Sequence, residues 1–153
     1  ISLLREKDIG NPGFYEILDK NSKVKIYSPY EKDKIYDKKL NVEEAIVRAI
    51  KIKKFRVILA SLGLFSKVKD WAKLGYYADK EKLGRKIGAL YDVAKTIIKV
   101  KRMDKRVRNK LLNSKVENKF IIPSIKSKNL KDIENIWGVY IPFNKADLEV
   151  YKE

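Results

Sequence analysis

Lys95, Lys99, Arg102, Arg106 and Lys110 follow one another at steps of 4, 3, 4 and 4 residues. On a helix this spacing puts five cations on one face, about one per turn. Lys101, Lys105 and Arg108 widen that face, and from Lys99 to Lys110 seven of twelve residues are basic while Asp104 alone is acidic. Such a row can neutralise a polyanion. Double-stranded DNA presents one phosphate charge per ~1.7 Å of axis, and each neutralised phosphate releases counterions. A merely solvated helix face usually alternates its signs and gains i, i+4 ion pairs; this stretch does not. Arg48, Lys51 and Lys54 form a second basic set at steps of three. These eleven side chains are the expected nucleic-acid contacts.

The chain carries 29 Lys and 7 Arg. Arg is the usual bidentate reader of guanine, whereas Lys is a compact point charge suited to phosphate. The balance therefore predicts contact with the nucleic-acid backbone and no reading of sequence. A helix-turn-helix formed by residues 66–74 and a basic helix from Asp79 has the right outline. Its base-reading residues should open the second helix, yet the charge collects at the far end. Tyr76 and Tyr77 are placed in a loop after Gly75, and Tyr15, Tyr27, Tyr30 and Tyr36 are interleaved with lysines. Aromatics so placed can stack on bases, but packed rings with a wet hydroxyl are the more common use of tyrosine. Trp71 and Trp137 are expected as core or interface anchors.

Catalytic chemistry finds little support. The sequence has no Cys and no His, which removes disulfides, thiol nucleophiles, the Ser-His-Asp triad and any His or Cys metal ligand. Asp37-x-Lys39 and Glu117-x-Lys119 match the acid-x-Lys pattern of metal-dependent nucleases, but two pairs are fewer than random placement of these residues would give. Gly84-x-x-x-Gly88 lacks the Lys-Ser/Thr that completes a phosphate loop. Ser61 and Ser66 have no partner base. The expectation is a non-enzymatic protein with no cofactor and no metal.

Those features sit in a chain of 153 residues with formal charge +16. Residues 1–40 hold 9 basic and 7 acidic side chains, residues 41–112 hold 20 and 7, and residues 113–153 hold 7 and 6. A thermophilic surface would explain many charges of both signs, but not this segregation, and nine Asn weigh against it. No apolar run reaches the ~18 residues of a membrane span, and Leu3-Leu4-Arg5-Glu6 is no secretory signal. An intracellular protein, or one inside a nucleoprotein particle or virion, is expected. Ile1 in place of Met suggests a processed or partial chain.

The elements that must position the cations can be read in outline. Residues 1–40 predict an N-terminal arm or small β-hairpin, with strands at 14–18 and 23–27 around an Asp19–Ser22 turn. Asn41 with Glu44 makes a capping box that opens a helical core over 41–112. Ser66 is expected to cap a short helix stopped by Gly75. Ile87, Leu90, Ala94, Ile97, Val100, Met103, Val107 and Leu111 then form one apolar stripe. Unbroken from Lys80 to Leu112, that helix would be ~50 Å long. Gly84 and Gly88 form a notch in it for close helix packing. Residues 113–153 predict extended pieces at 120–123 and 139–143, a helix over 129–137 ended by Gly138, and a terminal helix capped by Asn144 and Asp147.

The sequence thus predicts a mainly α protein, packed as one domain. It is a helical bundle with one long basic amphipathic helix, an extended or hairpin N-terminal segment and short C-terminal extended pieces. The expected role is structural: a nucleoprotein or coat-type subunit that packages DNA by phosphate contact and self-assembles. A ribosomal or RNA-scaffold protein, a helical DNA-binding regulator and a subunit of a protein complex are the alternatives.

Overall fold

The structure is a computed structural model and describes residues 41–151. The expected N-terminal arm or hairpin lies outside the described residues. Within them the chain is mainly helical, without a strand ladder.

Helix α1 spans Val42–Ile52 and opens on the capping box read from sequence: Asn41 Oδ1 accepts from the Glu44 amide at 2.7 Å, and Glu44 accepts from the Asn41 amide at 3.4 Å. It ends at Lys53, which is left-handed at φ 60°. Helix α2, Phe55–Ser61, runs into a 3₁₀ turn over Leu62–Lys67. Residues 57–65 are buried all round and apolar except Ser61, whose hydroxyl donates to the Ile58 carbonyl at 2.6 Å, as an element in the middle of a core must be.

Helix α3 spans Trp71–Lys80, and Asp70 caps it by accepting from the Lys73 amide at 3.0 Å. Buried Glu43 of α1 accepts from the amides of Lys69 and Asp70 at 3.0 and 3.2 Å, tying α1 to the start of α3. The expected helix from Ser66 to Gly75 is corrected here. Ser66 lies in the 3₁₀ turn, where its hydroxyl donates to the Gly63 carbonyl. Gly75 lies inside α3, where a Cβ would come 3.3 Å from Val107, so it marks a close approach and not a stop. Tyr76 and Tyr77 are therefore helical, and Asp79 belongs to the last turn of α3.

Helix α4, Gly84–Ile97, is the axis of the fold and touches α1, the first 3₁₀ turn, α3 and both helices that follow. The single long helix predicted over 80–112 is not formed. Ile98 turns extended at φ −139° and ψ 166°, residues 98–104 are non-helical, and helix α5 begins anew at Lys105 and ends at Leu112. Thr96, Ile97 and Ile98 are β-branched and weaken the helix where it stops. The Tyr91 hydroxyl accepts from the Met103 amide at 2.7 Å and holds the returning chain. Turning back buries Met103, Val107 and Leu111 in the same core as Ile87, Leu90 and Ala94, whereas a ~50 Å rod would carry them past it. The stripe is correct residue by residue but is folded in two.

Phe120 and Tyr140 meet in an isolated parallel bridge. Helix α6, Lys131–Trp137, ends at left-handed Gly138, φ 67°. A 3₁₀ turn over Lys145–Tyr151 closes the described chain. Asp147 accepts from the Asn144 amide at 2.8 Å as predicted, but the Asn144 side chain turns to the Lys128 amide instead of capping. The Tyr151 hydroxyl donates to the Leu59 carbonyl at 2.5 Å and accepts from the Gly63 amide at 3.2 Å.

Gly88 receives the Trp137 ring: a Cβ there would lie 2.2 Å from two of its carbons. Gly88→Ala is expected to destabilise by ~1–3 kcal/mol through overpacking, measurable by urea unfolding. Lys53→Gly should stabilise by about 1 kcal/mol, because only glycine escapes the Cβ cost of the left-handed region; an unchanged or lower midpoint would contradict this.

Candidate nucleic-acid interface

The central cations of the predicted row have different fates. Arg108 turns inward. Its Nη1 and Nη2 donate to the two oxygens of Asp92 on α4 at 2.9 and 3.0 Å. Its guanidinium lies 4.9 Å from the Trp137 ring centroid, and Trp137 Nε1 donates to Asp92 Oδ2 at 2.8 Å. The Asp92 side chain is 12% exposed and that of Arg108 29%. Burial alone would raise the Asp92 pKa, but hydrogen bonds from Arg108 and Trp137, with the charges of Arg108 and Lys95, hold it below the ordinary value. The hydrogen bond to Asp92 likewise raises Arg108. Arg108 thus joins α4, α5 and α6, where the sequence placed it on a phosphate-facing surface.

Lys95 stays on α4 with its ammonium 5.0 Å from the centroid of Tyr91. Lys99, Lys101 and Arg102 lie in the non-helical link, all exposed, with Val100 half-buried between the two lysines and Met103 buried beyond Arg102. Lys105, Arg106 and Lys110 are exposed on α5, and the last two share a face at i, i+4. Among the described residues none of these six, Lys99 through Lys110 without Arg108, makes an ion pair. Lys105 and Arg106 open α5, and its first turn holds no acid. The helix dipole disfavours cations at that end, so helix stability does not account for them.

The second set lies elsewhere. Lys51 is paired with Glu81 at 3.1 Å, just ahead of α4. Lys54 is exposed before α2, and Arg48 is half-buried on α1. Lys99 follows the other end of α4, but α5 runs back along that helix and brings Leu111 and Ser114 against Gly84, so the 99–110 cations extend over the length of α4, about 21 Å at 1.5 Å per residue. The second set is carried by α1 and the start of α2, with Lys51 held in its ion pair, and the first by the 98–104 link and α5.

Helices α3 and α4 with the three-residue turn between them have the outline of a helix-turn-helix. But α4, in the recognition position, is buried at Gly84, Lys86 to Tyr91, Val93 and Ala94. Arg85 donates to the carbonyls of Ser114 and Trp137, and Asp92 holds Arg108. That leaves α4 no face to lay in a groove. Tyr76 is 57% exposed, with its ring 5.7 Å from that of Tyr77. Of the acid-x-Lys pairs, Glu117 bonds to Lys82 at 2.9 Å and Asp37 lies outside the described residues. Among the described residues no three acidic side chains gather as a metal site would need, and no helix is long and apolar enough to cross a membrane.

Sequence reasoning missed Lys86, which is only 6% exposed. The signal was available: Lys86 stands four residues before Leu90 on the apolar side of α4, where a solvated lysine does not belong. Comparison with known proteins adds nothing to the geometry: no family model, no curated protein and no solved structure matches the chain.

Asp92→Asn should lower stability at pH 7 by ~2–3 kcal/mol, since it leaves Arg108 half-buried without its counter-charge. With its native pKa depressed, Asp92 contributes its full stabilisation above its unfolded pKa and loses it as the pH falls through the lower native value. Wild type and Asp92→Asn unfolding midpoints should therefore converge on acidification below about pH 4. A difference that does not shrink between pH 5 and pH 2 would contradict the assignment.

Proposed function

We propose that this chain is a non-enzymatic structural protein that binds nucleic acid without reading sequence and coats or packages DNA. The observation that carries the reading is the run of six exposed cations, Lys99, Lys101, Arg102, Lys105, Arg106 and Lys110, with no ion pair among the described residues. Unneutralised charge of one sign is costly to a fold unless an anion relieves it. Four of the six are lysines, which suit phosphate contact better than base readout. Lys95 flanks this surface at the end of α4, and Arg108 braces it from beneath. Arg48, Lys51 and Lys54 would meet a second stretch of backbone if the polymer wraps the molecule. In the same reading the helices form a bundle about α4, and copies assemble on the polymer as subunits of a nucleoprotein or coat.

Titration of random duplex DNA, single-stranded DNA and structured RNA across salt concentrations tests this. Duplex binding is expected to fall steeply with log salt, with no preference among sequences. Replacing Lys99, Lys101 and Arg102 together by Gln should lower the salt slope by about three, near 0.9 per lost phosphate contact. Arg108→Met should lower stability and leave the slope unchanged. Preference for structured RNA would move the reading to an RNA scaffold, and weak binding to all three at ~50 mM salt would move it to a subunit of a protein complex.

A further inference from the structure

We propose that the first turn of α4, together with Lys86 and Lys53, is a binding site for a phosphate group. The proposal does not rest on the nucleic-acid reading. Three observations meet there. First, the amides of Gly84, Arg85 and Lys86 have no acceptor among the described residues, and the residue before them, Leu83, has no side chain that could cap. A 14-residue helix presents these amides at the positive end of its dipole.

Second, Lys86 is 94% buried, at 6% exposure, and bonds to no carboxylate among the described residues. Buried lysines are ordinarily paired, because an isolated charge is expensive to desolvate. A helical side chain leans toward the N-terminus of its helix, which for Lys86, the third residue of α4, is the end that carries the unclaimed amides. Third, among the described residues the charge that acts on Lys86 is another cation. Burial lowers its pKa first, and the charge of Lys53 lowers it further. Glu81, the nearest acid along the chain, is held by Lys51. Lys53 stands exposed at the left-handed end of α1.

Two ammonium groups and a set of aligned amides, with no carboxylate among them, call for an anion of more than one charge and several acceptor oxygens. Phosphate has both properties, and its oxygens form strong charge-assisted hydrogen bonds with amides and ammonium groups. A phosphodiester of a nucleic acid and the phosphate of a small molecule supply the same chemistry.

The test is thermal unfolding and calorimetric titration of the full chain with sodium phosphate and pyrophosphate, against sodium chloride at matched ionic strength. The wild-type midpoint should rise saturably by several degrees at about 100 times Kd. Lys86→Met should unfold at a higher temperature than wild type without phosphate and should bind it about tenfold more weakly or not at all. Lys53→Met changes an exposed side chain and should also weaken binding, so it decides the matter should Lys86→Met fail to fold. A phosphate response no larger than that of chloride, or one equal in wild type and both variants, overturns the proposal. The source is separated by titrating Lys53→Met and Lys86→Met with duplex DNA. Weakened DNA binding would assign the phosphate to the polymer, and unchanged DNA binding would assign it to a small phosphorylated molecule. Both results leave the site standing.

Discussion

The bidentate contact between Asp92 and Arg108 is the constraint on which the arrangement of the last three helices depends. Asp92 lies two-thirds of the way along α4, Arg108 lies in the first half of α5, and Trp137 closes α6 over both. One carboxylate therefore fixes three helices by direct hydrogen bonds. It can do so only because Gly88, one turn earlier, leaves room for the Trp137 ring. The polar cluster sets orientation, and the apolar ring against the glycine sets distance. Together they determine where the 98–104 link leaves and rejoins the core. The same cluster answers a difficulty that a chain of charge +16 faces: its most basic segment must attach to the core somewhere. Arg108, with the buried residues Met103, Val107 and Leu111, makes that attachment, and the remaining cations face outward because their neighbours are held in.

Local signals in the sequence were legible where the structure uses them locally. The capping box at Asn41 and Glu44, the stop at Gly138 and the Asn144–Asp147 bond each involve residues within four positions of one another. The apolar stripe was legible as a list of core residues. Its continuity was not, because periodicity of 3.6 passes through a reversal unbroken when both arms return to the same core. What breaks the helix is a tertiary bond, Tyr91 to Met103, added to a β-branched run that is only mildly unfavourable alone. Gly75 misled for a related reason: as a helix stop and as a contact point it looks the same without its neighbour Val107.

The candidate site was legible as composition and not as geometry. Charge counting located the 99–110 segment, but the face assigned to it required one straight helix. Folding replaced that face with a flexed strip, part link and part α5, and removed Arg108 from it. Arg108 could not be told apart from Arg106 by type or spacing; only the partner Asp92, sixteen residues away, distinguishes them. Lys86 shows the converse. Its position on an apolar face was visible, but a lysine in a basic chain draws no notice until its burial and its lack of a carboxylate are seen together.

The hydroxyl of Tyr151 reaches back 92 residues to the carbonyl of Leu59 and 88 to the amide of Gly63. The buried, mostly apolar segment at 57–65 therefore waits for its last partner until nearly the whole described chain has been made. During synthesis from the N-terminus, that segment leaves the ribosome long before Tyr151 does, at ~5–20 residues per second. For several seconds its neighbours are α1, α3 and whatever else the cell offers. A protein built this way has its greatest tendency to aggregate as a nascent chain, and a fast or chaperone-held translation would serve it better than a slow one.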